Sequence, residues 1–197
     1  MIEQFISSLK LINLQVFLFS ALVFMIGYAL APTVHYKNIK WLTAYPLWME
    51  KVLEKLLGKK WNSILMFLFI FILNLLSLFI DLLSGLVLFV PLIMALWMGL
   101  NIGIITYNML NGRFFYSALF NPVSMFELPA AFIALSLAFQ LNLASLGSTL
   151  VPIEKISFSL YFNAFLSLVV PLLALSGIIE TFALHISKKF DDKDLDL

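Results

Sequence analysis

Three carboxylates, Asp81, Glu127 and Glu180, stand in stretches otherwise fit for lipid. A charged side chain deep in a bilayer costs roughly 2.5 to 3.5 kcal/mol on insertion scales, so each should face protein or water and not acyl chains. Asn74 and Asn101 add amides to neighbouring apolar runs. These five residues make up a candidate intramembrane polar site. Its chemistry would be the binding of a cation or the passage of a proton along a polar seam. The plainer role is interhelical hydrogen bonding, about 0.6 kcal/mol per contact on average, and it is preferred for Asn74 and for Ser77 one turn away. Asp81 lies near the end of its apolar run, where it could reach water or cap the helix starting near Ser84 and Gly85.

Other chemistry finds little material. The absence of cysteine excludes disulfides, thiolate metal sites and cysteine nucleophiles. His35 and His185 lie in opposite halves of the chain without ligand spacing, so no metal site is expected. There is no Gly-rich phosphate loop and no nucleophile with a base beside it. The expectation is a protein that is not an enzyme and has no cofactor and no nucleic-acid partner. Glu50 and Glu54, one turn apart, could pair as carboxylates, but beside Lys51 and Lys55 they read as a solvated helix face.

The elements that position the carboxylates follow from local pattern. Ser124 and Glu127 make Ser-x-x-Glu, a capping box in which the hydroxyl accepts from the Glu127 N–H and the carboxylate reaches back to the Ser124 N–H. A helix should therefore start at Ser124, with Pro129 tolerated near its beginning. Positions 127, 131, 134 and 138 share one face, so Glu127 ends a seam of Ala131, Ala134 and Ala138 where another helix can approach closely. Gly99 and Gly103 form a second close-packing face, and Gly177 a third beside Ser176 and Glu180. Glu127 and Glu180, on successive antiparallel spans, are expected at one depth and in one interhelical space.

With 62% hydrophobic and 12% charged residues, against about 25% charged in soluble domains, the chain is expected to be all-α. The architecture is a polytopic transmembrane bundle in a single domain, 1–197. Five spans are placed at about 11–31, 61–83, 85–110, 124–143 and 157–185, each near the 20 residues a bilayer needs. Pro32 should end the first, while Pro91 and Pro171 should kink the third and fifth. Residues 46–58 read as an interfacial amphipathic helix closed by Gly58, and the acidic tail 190–197 as disordered. Five spans put Lys37, Lys40, Lys51, Lys55, Lys59, Lys60, Arg113, Lys188, Lys189 and Lys193 on one side, against Lys10 and Lys155. The bias predicts an external N-terminus and a cytoplasmic C-terminus in the cell membrane.

Phe126-Glu127-Leu128-Pro129-Ala130 with the alanine-rich helix after it resembles the signature of the stage II sporulation protein M family. Residues 70 to 105 are similar to the family's central pair of helices, and Ile178-Ile179-Glu180-Thr181-Phe182 to its closing helix with a lone glutamate. Where family members usually carry a histidine four residues before the first glutamate, this chain has Val123. The resemblance implies a non-enzymatic membrane component of a larger assembly, which in spore formers acts with cell-wall hydrolases. Its expected partners are the lipid bilayer, other membrane or envelope proteins, and a second copy in a homo-oligomer. The alternative from the polar residues is a transporter or channel for a cation, proton or small solute, using Glu127 and Glu180.

Overall fold

A computed structural model describes residues 2–57, 62–147 and 157–194 as seven α-helices without a strand. Five are long and apolar enough to cross a membrane: α2 (Leu14–Tyr36), α4 (Ser63–Ser84), α5 (Val90–Met109), α6 (Ser124–Ser145) and the stretch Phe158–Ile186 of α7 (Phe158–Asp194). The chain is thus an all-α, multi-pass membrane protein. Two further helices, α1 (Ile2–Leu11) and α3 (Lys40–Leu57), lie outside this set.

Several boundaries differ from expectation for identifiable reasons. The first span starts at Leu14 because Asn13 Oδ1 accepts from the N–H groups of Gln15 (2.9 Å) and Val16 (3.2 Å), separating α1 from α2. It runs four residues past Pro32 to Tyr36. One missing backbone bond does not stop a helix whose neighbour packs tightly against it. Pro91 does not kink α5, because the helix begins only at Val90 and the proline sits in its first turn, where no N–H is needed. α7 is continuous through Pro171 and on to Asp194, so residues 190–194 are helical and not disordered, in a stretch that from Ile178 onward has neither glycine nor proline. Residues 195–197, Gly58, Trp61 and Lys155 lie outside the described residues.

The capping box at Ser124 does not form. Glu127 turns away from it, and the work passes to Asn121, whose Oδ1 accepts from the Ser124 N–H at 2.8 Å. Asn121 Nδ2 in turn donates to Ser124 Oγ (2.9 Å) and the Ala118 carbonyl (2.7 Å). Asn121→Ala is therefore expected to lower stability in detergent by about 1 kcal/mol, the typical loss of a cap, and more than Ser124→Ala does. Thermal melts of the two variants compare them directly.

α2 and α5 run parallel and nearly touch through their backbones. A Cβ at Gly99 would collide with the Phe24 carbonyl oxygen, one at Gly27 with that of Leu96, and one at Gly103 would meet Ala31 Cβ at 2.6 Å. α6 is the least hydropathic of the five spans and the most deeply buried. Its Ala130, Ala131 and Ala134 are closed off from the surface in a core shared with Leu78 and Leu82 of α4 and Tyr161, Phe165 and Val169 of α7, and Ala138 is buried against Gly85. Gly177 faces α4, where a Cβ would meet the Phe67 ring at 3.2 Å. α1 lies on α7, with Ser167 Oγ and Ser8 Oγ 2.7 Å apart.

α6 is also displaced along the bundle. Asn74, eleven residues into α4, meets Glu127, three residues into α6, and Gly85 at the end of α4 abuts Ala138. The offset is eight residues, or about 12 Å at 1.5 Å per residue. α6 thus begins beside the middle of its neighbour, and the fold-back segment 110–123 fills the space below it.

Candidate functional site

Asn74 Nδ2 donates to Glu127 Oε1 at 2.7 Å, joining α4 to α6 near mid-span. Asn74 is about 16 Å from the start of its helix, so the contact lies well inside the apolar layer. Both residues are half-buried. From α7, the buried Ser176 hydroxyl lies against the Glu127 carboxylate without reaching hydrogen-bond geometry. Glu180, one turn further along α7 and also half-buried, comes close enough to feel the charge of Glu127. α4, α6 and α7 therefore share one space containing an amide, a hydroxyl and two carboxylates. This group has proton and cation acceptors, and among the described residues no three His, Asp or Glu side chains converge as metal ligands would.

The structure does not bring the other two candidates into this space. Asn101 Oδ1 is buried without a partner, and the residue bonds to neither glutamate. Asp81 is 1% exposed, seven residues further along α4, toward the α1 end of the bundle. It reaches neither water nor a cap: its Oδ2 has no hydrogen-bond partner. An uncompensated buried carboxylate is expensive, whereas an amide of the same shape avoids the charge. Asp81→Asn should therefore leave stability unchanged or raise it by about 1 kcal/mol; a fall of that size in a detergent melt would mean that the carboxylate has a partner to lose.

The expectation that Glu50 belongs to a solvated face is corrected. Glu50 is 6% exposed, and both its carboxylate oxygens accept from Asn108 Nδ2 of α5, at 2.9 and 2.8 Å. Thr43, Pro46 and Glu50 are buried, Leu42 and Leu47 pack half-buried on the core that holds Leu100 and Ile104, and Trp41 and Trp48 stand outward, so α3 packs on α5 through a mixed face and presents indoles to its surroundings. Indoles favour the headgroup level. The spacing 43, 46, 50 is present in the sequence, but the apolar face is the one that predicts burial, as it does in water-soluble helices.

Further polar contacts bind elements together. Tyr28 O–H donates to the Phe115 carbonyl at 2.7 Å, Ser20 Oγ to the Phe132 carbonyl at 3.2 Å, and Asn142 Nδ2 to the Val87 carbonyl at 2.8 Å. An open apolar groove of about 350 Å³ lies between α4 and α7, lined by Ile64, Phe67, Ile178, Thr181 and Phe182 with Ser63 and His185 at its margin.

Compared with known proteins, the chain has no match among curated proteins or solved structures. The family described as stage II sporulation protein M matches residues 15–183, a stretch that holds all five membrane-spanning helices up to the last turns of α7, together with Asn74, Glu127 and Glu180. The chain belongs to the stage II sporulation protein M family.

Proposed function

We propose that the protein is a non-enzymatic subunit of a larger membrane complex, working with other membrane or envelope proteins. The observation that supports it is the use made of polar groups at depth: Asn74 with Glu127, Tyr28 with Phe115, Ser20 with Phe132, and Asn108 with Glu50 each tie one element to another. Such bonds hold a scaffold. Purification from native membranes in mild detergent should bring down a stoichiometric membrane or envelope protein. A chain that purifies alone, and in proteoliposomes carries a cation or proton flux lost in Glu180→Gln, would overturn the proposal.

That second outcome belongs to a transporter or channel, favoured by one observation: Glu180 shares the Glu127 space and makes no hydrogen bond with Asn74. The orientation we propose has the N-terminus outside the cell membrane and α3 on the cytoplasmic side, as the basic residues favour. Lys37 and Ser145 are both exposed and sit at opposite ends of the bundle. In this cysteine-free chain, an impermeant thiol reagent applied to intact cells should label Ser145→Cys, and should label Lys37→Cys only after permeabilisation. The reverse pattern would invert the topology.

A further inference from the structure

The space shared by Glu127 and Glu180 holds two carboxylates and no countercharge. α4, α6 and α7 as far as Ile186 contain neither lysine nor arginine. His185 is exposed at the margin of the groove, and Arg113 of the fold-back segment is exposed as well. Among the described residues no cationic group pairs with either glutamate. A carboxylate this far inside an apolar layer needs a partner of opposite charge or a watery cavity, and two held close repel each other besides.

The oxygens in this space are placed as ligands are, and not as hydrogen-bond partners. Glu127 Oε1 accepts from Asn74 Nδ2 at 2.7 Å, which leaves Glu127 Oε2 and Asn74 Oδ1 outside that bond. Ser176 is fully buried, and its Oγ has no hydrogen-bond partner although it lies against the Glu127 carboxylate. Glu180, on the same face of α7 one turn along, feels the Glu127 charge without bonding to it or to Asn74. A buried hydroxyl left unpaired costs free energy and calls for an explanation. Oxygens that ligate one ion at about 2.3 to 2.6 Å stand roughly 3.5 Å apart at right angles, so they do not bond to one another. That spacing accounts for Ser176 and Glu180 together.

We propose that Asn74, Glu127, Ser176 and Glu180 bind one divalent cation of the calcium or magnesium class, joining α4, α6 and α7; the inference goes beyond the subunit role and does not depend on it. The set is oxygen alone, without the imidazole or thiolate that zinc and copper sites favour, and oxygen suits hard cations. Two carboxylates balance a double charge, whereas a monovalent ion leaves one charge uncompensated in the apolar layer. No third acidic side chain or histidine converges here, so the amide and hydroxyl oxygens and bound water complete the shell, as they do around both ions.

Metal titration of the purified chain tests this. The protein in mild detergent is stripped with EDTA and melted at constant ionic strength in rising calcium chloride or magnesium chloride, with sodium chloride and choline chloride as controls. The expected result is a saturable rise in melting temperature with one or both divalent ions, and one ion bound per chain by equilibrium dialysis and elemental analysis. Glu180→Gln keeps the side chain's size while removing a ligand charge, and Ser176→Ala removes a hydroxyl that has no hydrogen bond to lose. Each should weaken binding at least tenfold. The dialysis of the parent chain stands even where a variant fails to fold. A parent chain that binds no divalent ion overturns the proposal. Binding as tight in either variant as in the parent overturns it too, since the ion would then sit elsewhere. Stabilisation by sodium alone would mean a monovalent site, and stabilisation by acid with no response to metal would mean a proton on the pair; both results also overturn it.

Discussion

Gly99→Leu is expected to abolish accumulation of the folded protein. The hydrogen at Gly99 faces the Phe24 carbonyl and the Tyr28 amide, and a Cβ there would overlap the carbonyl oxygen of a neighbouring backbone, which cannot swing aside as a side chain would. Even Gly99→Ala forces α2 and α5 apart along a contact that also includes Gly27 and Gly103. Overpacking of this kind costs about 1 to 3 kcal/mol, and leucine adds three further carbons in the same direction. The measurement is the monodisperse fraction on gel filtration together with the detergent melting temperature. Gly147→Ala is a fair control: a Cβ there meets nothing, although its φ of +63° adds mild strain. A Gly99→Leu protein that melts like the parent would mean that the two helices are not held backbone to backbone.

Glu127→Ala should be the most damaging single polar change, by about 1 to 3 kcal/mol, the typical cost of stranding a buried donor. Asn74 Nδ2 would lose its acceptor at 2.7 Å, and Ser176 would lose the carboxylate beside it. Removing both members of a hydrogen-bonded pair is less costly than removing one. The double variant Asn74→Leu with Glu127→Leu is therefore expected to melt above Glu127→Ala, and a double-mutant cycle should give a coupling of about 0.6 to 1.7 kcal/mol, the range for interhelical bonds in membranes. Additive losses would show that the two residues do not depend on each other.

How far the sequence could be read depended on which direction was asked about. Span number followed from length and hydropathy, and Ala131, Ala134 and Ala138 revealed their packing face through helical period alone. The same period carries no information on how far one helix slides past another. The displacement of α6 was therefore hidden, although it is what sets Glu127 beside Asn74, and a carboxylate turned toward that amide does not reach back to Ser124. Glu50 was hidden for a different reason: charged neighbours made its face look wet, and only the position of Asn108 on another helix shows otherwise. Asn13 and Asn121 cap with a residue type that favours helix starts, yet Asn121 stands beside Pro122 and Ser124, either of which could serve the same end.

The central place of α6 has a consequence for biosynthesis. It is the span with the least affinity for lipid, carrying Glu127, Ser136, Gln140 and Asn142, and it is the one most enclosed by other helices. It is also made late, after α2, α4 and α5. A segment with such a burden of polar groups leaves the translocon more readily when partners already stand in the bilayer to receive them, and Asn74 on α4 and the Val87 carbonyl before α5 are such partners. The earlier spans thus act as the receiving solvent for the one that follows, and the order of synthesis is part of what makes the bundle insertable at all.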